Sequence, residues 1–103
     1  MIERHYLEQY AESAGMLAYK IGYLPLDNNR LAIFNRGTGE IHVERVMLEG
    51  SPINWSLIVY RGGWIEDDVI YPGELGILTL DGVVDMKGRL TIISRGIYVF
   101  IDI

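Results

Sequence analysis

Residues 89–103, RLTIISRGIYVFIDI, contain two apolar runs separated by the dipeptide Arg95-Gly96. A short glycine-containing turn between two such runs is typical of a β-hairpin. An antiparallel strand with one face in water alternates apolar with polar residues, and successive side chains point to opposite faces. The second run instead carries large apolar groups on both faces, which we expect to be covered: Ile97, Val99, Ile101 and Ile103 on one side, Tyr98 and Phe100 on the other.

The same pattern of short apolar runs and turn residues continues through residues 22–103. Roughly one turn in every ten residues is typical of antiparallel sandwiches and small barrels. The connections are too short for the crossovers that parallel strands need. The sequence therefore predicts a mainly β fold (α+β when a helix is counted), an antiparallel β-barrel or sandwich of six to eight short strands.

Three stretches decide how these strands are divided. Residues 41–48 and residues 64–70 are each interpreted as one strand. Asp81-Gly82 is interpreted as a two-residue hairpin turn that pairs residues 83–86 with residues 75–80. One further strand alternates clearly, with one face made of Ile53, Trp55, Leu57 and Val59.

Residues 1–21 are predicted to form one N-terminal helix in a single domain that spans residues 1–103. Apolar residues recur there at steps of three and four, and Glu8 and Glu12 fall on the other side. The apolar stripe would pack on the sheet or against a second copy of the chain. Together with the last strand it supplies the predicted interaction surface: Tyr6, Tyr10, Leu17, Tyr98, Phe100 and Ile103.

The apolar content is high for the size of the chain. Half of the 103 residues are hydrophobic, and the mean hydropathy is +0.16 at a mass of 11.7 kDa. A domain of this size buries only about 60–65% of the surface of its unfolded chain, so apolar surface is left over. We therefore expect a homo-oligomer, with a dimer favoured, or another protein partner. The leading interpretation is a non-enzymatic interaction or structural module, such as a small phage or viral accessory protein.

Composition excludes several classes of function. The chain has no cysteine, which removes disulfides, thiol catalysis and cysteine-ligated metals. The formal net charge of −5 argues against nucleic acid as a partner. No apolar run reaches the roughly 20 residues of a membrane-spanning helix, and residues 1–5 lack a signal-peptide pattern. A cytoplasmic protein, or an intracellular one of phage or viral origin, is therefore expected, with no membrane partner.

Residues 74–101, ELGILTLDGVVDMKGRLTIISRGIYVFI, are similar in cadence to cupin barrels: a strand, a turn glycine, a short hairpin and a closing strand. The resemblance implies a small-molecule-binding β-barrel. Residues 66–73 contain no histidine, so such a barrel would lack the metal site of that family. Four aromatic residues are the predicted lining of its mouth: Trp55, Tyr60, Trp64 and Tyr71.

His42 and the acidic residues Glu66, Asp67 and Asp68 are the remaining candidates for chemistry. They would support a metal-dependent or acid–base enzyme, because carboxylates and imidazole bind metals and move protons. A charged, solvated edge strand explains the acidic run equally well. The spacings of common zinc sites are absent, and no catalytic residue, metal ligand or cofactor is predicted.

Overall fold

The computed structural model describes residues 20–103, so the predicted helix lies almost entirely outside the described residues. Ile21, expected to end that helix, is instead the first residue of a strand. Eleven strands are present in the described part: β1 (Ile21–Pro25), β2 (Arg30–Asn35), β3 (Ile41–His42), β4 (Arg45–Leu48), β5 (Ser51–Pro52), β6 (Trp55–Tyr60), β7 (Trp64–Glu66), β8 (Val69–Ile70), β9 (Leu75–Leu80), β10 (Arg89–Ser94) and β11 (Ile97–Asp102).

All strand pairs are antiparallel, which confirms the predicted mainly β fold. A five-stranded sheet has the order β1-β2-β9-β6-β7, and a four-stranded sheet has the order β11-β10-β4-β5. β3 and β8 pair in a two-stranded ribbon; β3 lies just before β4 in the chain, and β8 lies just after β7. Within residues 20–103 each larger sheet is open at both edges, so no barrel closes there.

The core is one cluster of apolar side chains contributed by both larger sheets and the ribbon. Each fully buried Leu or Ile side chain contributes about 1.5–3 kcal/mol relative to exposure. The buried hydrophobic residues are Leu31, Ile33, Ile41, Val43, Val46, Leu57, Val59, Ile70, Leu78, Leu80, Met86, Leu90, Ile92 and Ile101.

The strand predicted over residues 41–48 divides at Val43 and Glu44. The Val43 N–H donates to the Asp68 carbonyl (2.7 Å), whereas the Glu44 N–H donates to the Ile93 carbonyl (3.0 Å). The chain therefore changes partners between β3 and β4. Residues 64–70 divide in the same way into β7 and β8. These two divisions each add one strand to the number expected.

The hairpin predicted at Asp81-Gly82 does not form. β9 belongs to the five-stranded sheet and β10 to the four-stranded sheet, so residues 81–88 connect one sheet to the other. Met86 lies in the core, and its N–H donates to the carbonyl of Asn28 (2.8 Å). Burial of this side chain draws the segment away from β9, where a paired strand was expected.

The hairpin predicted at Arg95-Gly96 does form. Ser94 lies opposite Ile97, so the loop has two residues. Arg95 and Gly96 adopt φ values of 50° and 76°. Positive φ at both positions is the conformation that a type I′ turn requires, and it matches the twist of the paired strands.

Candidate functional site

The last strand, β11, has one covered face and one exposed face. Its pairing with β10 places Ile101 opposite the buried Leu90, and these side chains point to the core. Tyr98 and Phe100 point outward, and within the described part of the chain they are 50% and 55% exposed to solvent. Ile103, the third contact residue predicted in the last strand, directly follows the end of β11 and is partly buried on the core side. Tyr6, Tyr10 and Leu17 lie outside the described residues.

Tyr98 and Phe100 form a small aromatic cluster with one cation. Their ring centroids are 6.4 Å apart in an edge-to-face arrangement. The guanidinium carbon of Arg89 lies 5.0 Å from the Phe100 centroid, a cation–π distance. Arg89 Nε donates to Asp102 Oδ1 (3.0 Å), and this carboxylate raises the pKa of Arg89. We call Tyr98, Phe100 and Arg89 the β11 cluster.

Among residues 20–103, no strand pairs with the outer edge of β11, beside the β11 cluster. Gly88 and Ile103 exchange both backbone hydrogen bonds, at 3.3 and 2.9 Å. Because antiparallel hydrogen bonding alternates along a strand, the N–H and C=O groups of Tyr98, Phe100 and Asp102 point away from β10. The Asp102 carbonyl accepts a hydrogen bond from the Tyr23 hydroxyl (2.8 Å). The edge at Tyr98 and Phe100 therefore offers both aromatic side chains and backbone hydrogen-bonding groups.

A second apolar surface covers the outer side of the five-stranded sheet. The strand registers align one row of residues across all five strands and a second row beside it. We call these rows together the outer face. The first row is Gly22, Phe34, Leu75, Tyr60 and Trp64, and the second is Leu24, Ala32, Ile77, Ile58 and Glu66.

The outer face is the surface that sequence reasoning missed, although a signal for it was present. Strand β9 carries Leu75 and Ile77 on one side and the buried Leu78 and Leu80 on the other. Apolar residues on both faces, the signal used for β11, therefore also marked β9. Phe34 joins this face through its register with Leu75 of β9.

The four aromatic residues predicted to line a pocket are placed in two regions. Tyr60 and Trp64 meet edge to face on the outer face, with ring centroids 5.3 Å apart. Tyr71 lies beneath Arg61, whose guanidinium carbon is 4.7 Å from the ring centroid. Trp55 is at the other end of β6, about 17 Å from Tyr60 along the strand. It lines a separate cleft of about 220 Å³ with neighbours that include Arg45 and Asn54.

Arg61 is the centre of a polar network between β6 and the turn before β9. Its Nε and one terminal nitrogen donate to the two oxygens of Glu74 (2.6 and 2.8 Å). The other terminal nitrogen donates to Asp67 (2.9 Å). The guanidinium lowers the pKa of both carboxyl groups. Asp67 and Glu74, which lie in or near the predicted acidic site, therefore bind the guanidinium of Arg61.

His42 lies in the ribbon, opposite Val69. Its Nε2 is 3.1 Å from an oxygen of Glu40. Among residues 20–103, histidine, aspartate and glutamate side chains form no group of three or more that could hold a metal ion. The enzyme that uses His42 and the acidic run stays a prediction.

Comparisons with protein-family models, with curated proteins and with solved structures found no match for this chain. The described residues contain no helix of the length and apolarity needed to cross a membrane. The described residues form an antiparallel β protein of two larger sheets and a short ribbon, with exposed apolar side chains on the outside of each larger sheet.

Proposed function

We propose that the protein is a non-enzymatic interaction module that assembles with copies of itself, in the simplest case as a dimer, through the free edge of β11. One observation carries the proposal: Tyr98 and Phe100 expose half of their side-chain surface on a strand edge whose backbone groups point outward. A sheet edge with exposed apolar residues is a template for pairing with another strand. A cytoplasmic location, or an intracellular one in a phage- or virus-encoded protein, belongs to the same proposal.

The edge is suited to pairing with an identical edge. Two copies of β11 related by a two-fold axis at Val99 would run antiparallel, with Tyr98 of one copy opposite Phe100 of the other. Both positions direct their N–H and C=O groups to the free side, so each pair could exchange two hydrogen bonds. The two four-stranded sheets would then form one continuous sheet.

Charge and side-chain chemistry also favour a second copy as the partner. Residues 97–101 carry no ionisable acid or base apart from the tyrosine hydroxyl, so a self-pairing brings no like charges into opposition. Aromatic cross-strand pairs contribute about 0.2–1 kcal/mol each beyond Ala–Ala pairs. Tyrosine and arginine are enriched among the residues that dominate binding energy at protein interfaces, and the β11 cluster supplies both.

Light scattering coupled to size-exclusion chromatography tests the proposal on the full chain. We expect a concentration-dependent species of twice the 11.7 kDa mass of the chain. A protein that stays monomeric up to high micromolar concentration would contradict self-association.

A substitution at the edge locates the interface. Phe100→Lys adds a charge and a long polar side chain to the free edge, which opposes strand pairing. We expect it to give a folded monomer. Val84→Lys is the matched control, because Val84 is 84% exposed in the loop between the sheets. If Phe100→Lys reduces dimer formation no more than Val84→Lys does, the interface does not lie at β11.

A further inference from the structure

The outer face is too apolar to be an ordinary solvent surface. Within the described part of the chain, Leu24 is 62% exposed to solvent and Trp64 is 49% exposed. Phe34, Tyr60 and Leu75 are also exposed. With strands spaced about 4.8 Å apart, the face measures about 19 Å across the strands, and its two rows lie about 7 Å apart along them. A sheet face with this composition is normally packed against another layer of structure.

The chain enters the five-stranded sheet at its β1 edge, where the first row of the outer face begins. The carbonyl of Lys20 accepts the N–H of Arg36 (2.8 Å), which fixes the residue immediately before β1 beside β2. Gly22, two residues later, is the first member of the row that continues through Phe34 to Trp64. The nineteen residues before Lys20 are therefore attached at one end of the apolar row.

The sequence of these nineteen residues suits the face. They carry the apolar stripe that includes Tyr6, Tyr10 and Leu17, with glutamates on the other side. A helix of nineteen residues would be about 28 Å long, which exceeds the width of the five strands. We propose that residues 1–19 cover the outer face of the five-stranded sheet in the same copy of the chain. This proposal is independent of self-association through β11, which lies in the other sheet.

The fluorescence of Trp64 reports directly whether the outer face is covered. The chain has two tryptophans, and Trp55→Phe leaves Trp64 as the only one in an otherwise full-length protein. If residues 1–19 lie on the face, Trp64 fluorescence is blue-shifted and resists quenching by acrylamide, and neither property changes with protein concentration. Exposed Trp64 at every concentration would overturn the proposal. Protection that disappears on dilution would also overturn it, because a second copy would then be the cover.

Substitutions in the stripe identify which segment provides the cover. In the Trp55→Phe background we expect Leu17→Asp to shift Trp64 emission to the red and to increase quenching severalfold. Glu12→Gln is the matched control on the polar side and should leave both unchanged. If Leu17→Asp leaves the Trp64 emission unchanged, residues 1–19 do not cover the outer face.

Cross-linking supplies a measurement that does not depend on fluorescence. Because the chain has no cysteine, two can be introduced without interference. Ala14→Cys with Leu75→Cys joins the segment to the outer face, and Ala14→Cys with Met47→Cys joins it to the outer side of the other sheet. A short bismaleimide should give an intramolecular link in the first pair and not in the second. Links between copies in the first pair, or equal linking in both pairs, would refute the assignment.

Discussion

The hydroxyl of Tyr23 donates a 2.8 Å hydrogen bond to the backbone carbonyl of Asp102. Tyr23 belongs to β1, at the edge of the five-stranded sheet, and Asp102 belongs to β11, at the edge of the four-stranded sheet. The two residues are 79 positions apart in the sequence. This bond therefore joins the edges of the two sheets and occupies the carbonyl of Asp102. In the described part of the chain, no strand pairs with the same edge at Tyr98 and Phe100.

Tyr23→Phe should destabilise the protein slightly, because it removes this hydroxyl and keeps the ring. A neutral hydrogen bond contributes about 0.5–1.5 kcal/mol, and the exposed position of this one places it at the low end. Thermal denaturation should show a Tm lower by a few degrees. Tyr71→Phe is the control, since its hydroxyl makes no hydrogen bond within residues 20–103. Equal effects of the two substitutions would show that the Tyr23 bond contributes nothing.

Asn35→Ala should be much more damaging than a typical surface change. Asn35 is fully buried, and its amide nitrogen donates to the carbonyls of Gly39 (2.9 Å) and Ile70 (2.8 Å). Its Oδ1 accepts the N–H of Gly37 (3.0 Å). Since each unsatisfied buried polar group costs about 1–3 kcal/mol, we expect a loss of about 2–4 kcal/mol in urea denaturation.

Asn54→Ala is the control for Asn35→Ala, because Asn54 is exposed and should change the free energy of unfolding by less than about 0.5 kcal/mol. A loss at Asn35 as small as the loss at Asn54 would mean that water replaces the three hydrogen bonds. Asn35 ends β2 and joins that strand to the ribbon.

Local patterns predicted the parts of the fold that local geometry controls. The alternation over residues 53–60 matches the observed faces of β6, with Leu57 and Val59 buried and Ser56 and Tyr60 exposed. The two-residue turn at Arg95-Gly96 is also as predicted.

The points at which the chain changes from pairing in one sheet to pairing in another could not be predicted from local patterns. Residues 41–48 continue without a glycine or proline in the sequence, yet their backbone pairs first with β8 and then with β10. The apolar residues on both sides of β9 indicate a covered face, but the alignment of the outer face across strands could not be predicted, for the same reason. Phe34, Leu75 and Tyr60 align only because three strands that are distant in sequence pair in one register. No periodicity within a single strand contains that information.

Gly76→Ala should destabilise the core through a steric clash. A Cβ atom at this position of β9 would lie 2.8 Å from Cδ1 of Ile70 and 3.1 Å from Cδ1 of Leu57. Overpacking of a filled core costs about 1–3 kcal/mol, which chemical denaturation would measure. Ile70→Val removes the closest atom, so the double variant should recover part of the loss relative to the sum of the single changes. Additive losses would show that Ile70 is not the source of the strain.

The network of Arg61, Glu74 and Asp67 should make stability depend on acid pH. Arg61 lowers the pKa of Glu74 and of Asp67 below their ordinary values of 4.5 and 3.8. Carboxyl groups with lowered pKa in the folded state contribute stability above the ordinary values, and the contribution is lost as the pH falls through the folded values. Unfolding measured from pH 7 down to acid should therefore show a steeper loss in the wild type than in Glu74→Gln.

The difference in stability between wild type and Glu74→Gln should be largest near neutral pH and should shrink below about pH 4.5. High salt should also reduce it, because the pair is partly exposed and ions screen it. Glu66→Gln is the control, since the Glu66 carboxylate makes no ion pair within residues 20–103. If Glu74→Gln and Glu66→Gln give the same pH profile, the bidentate contact of Arg61 with Glu74 does not stabilise the fold.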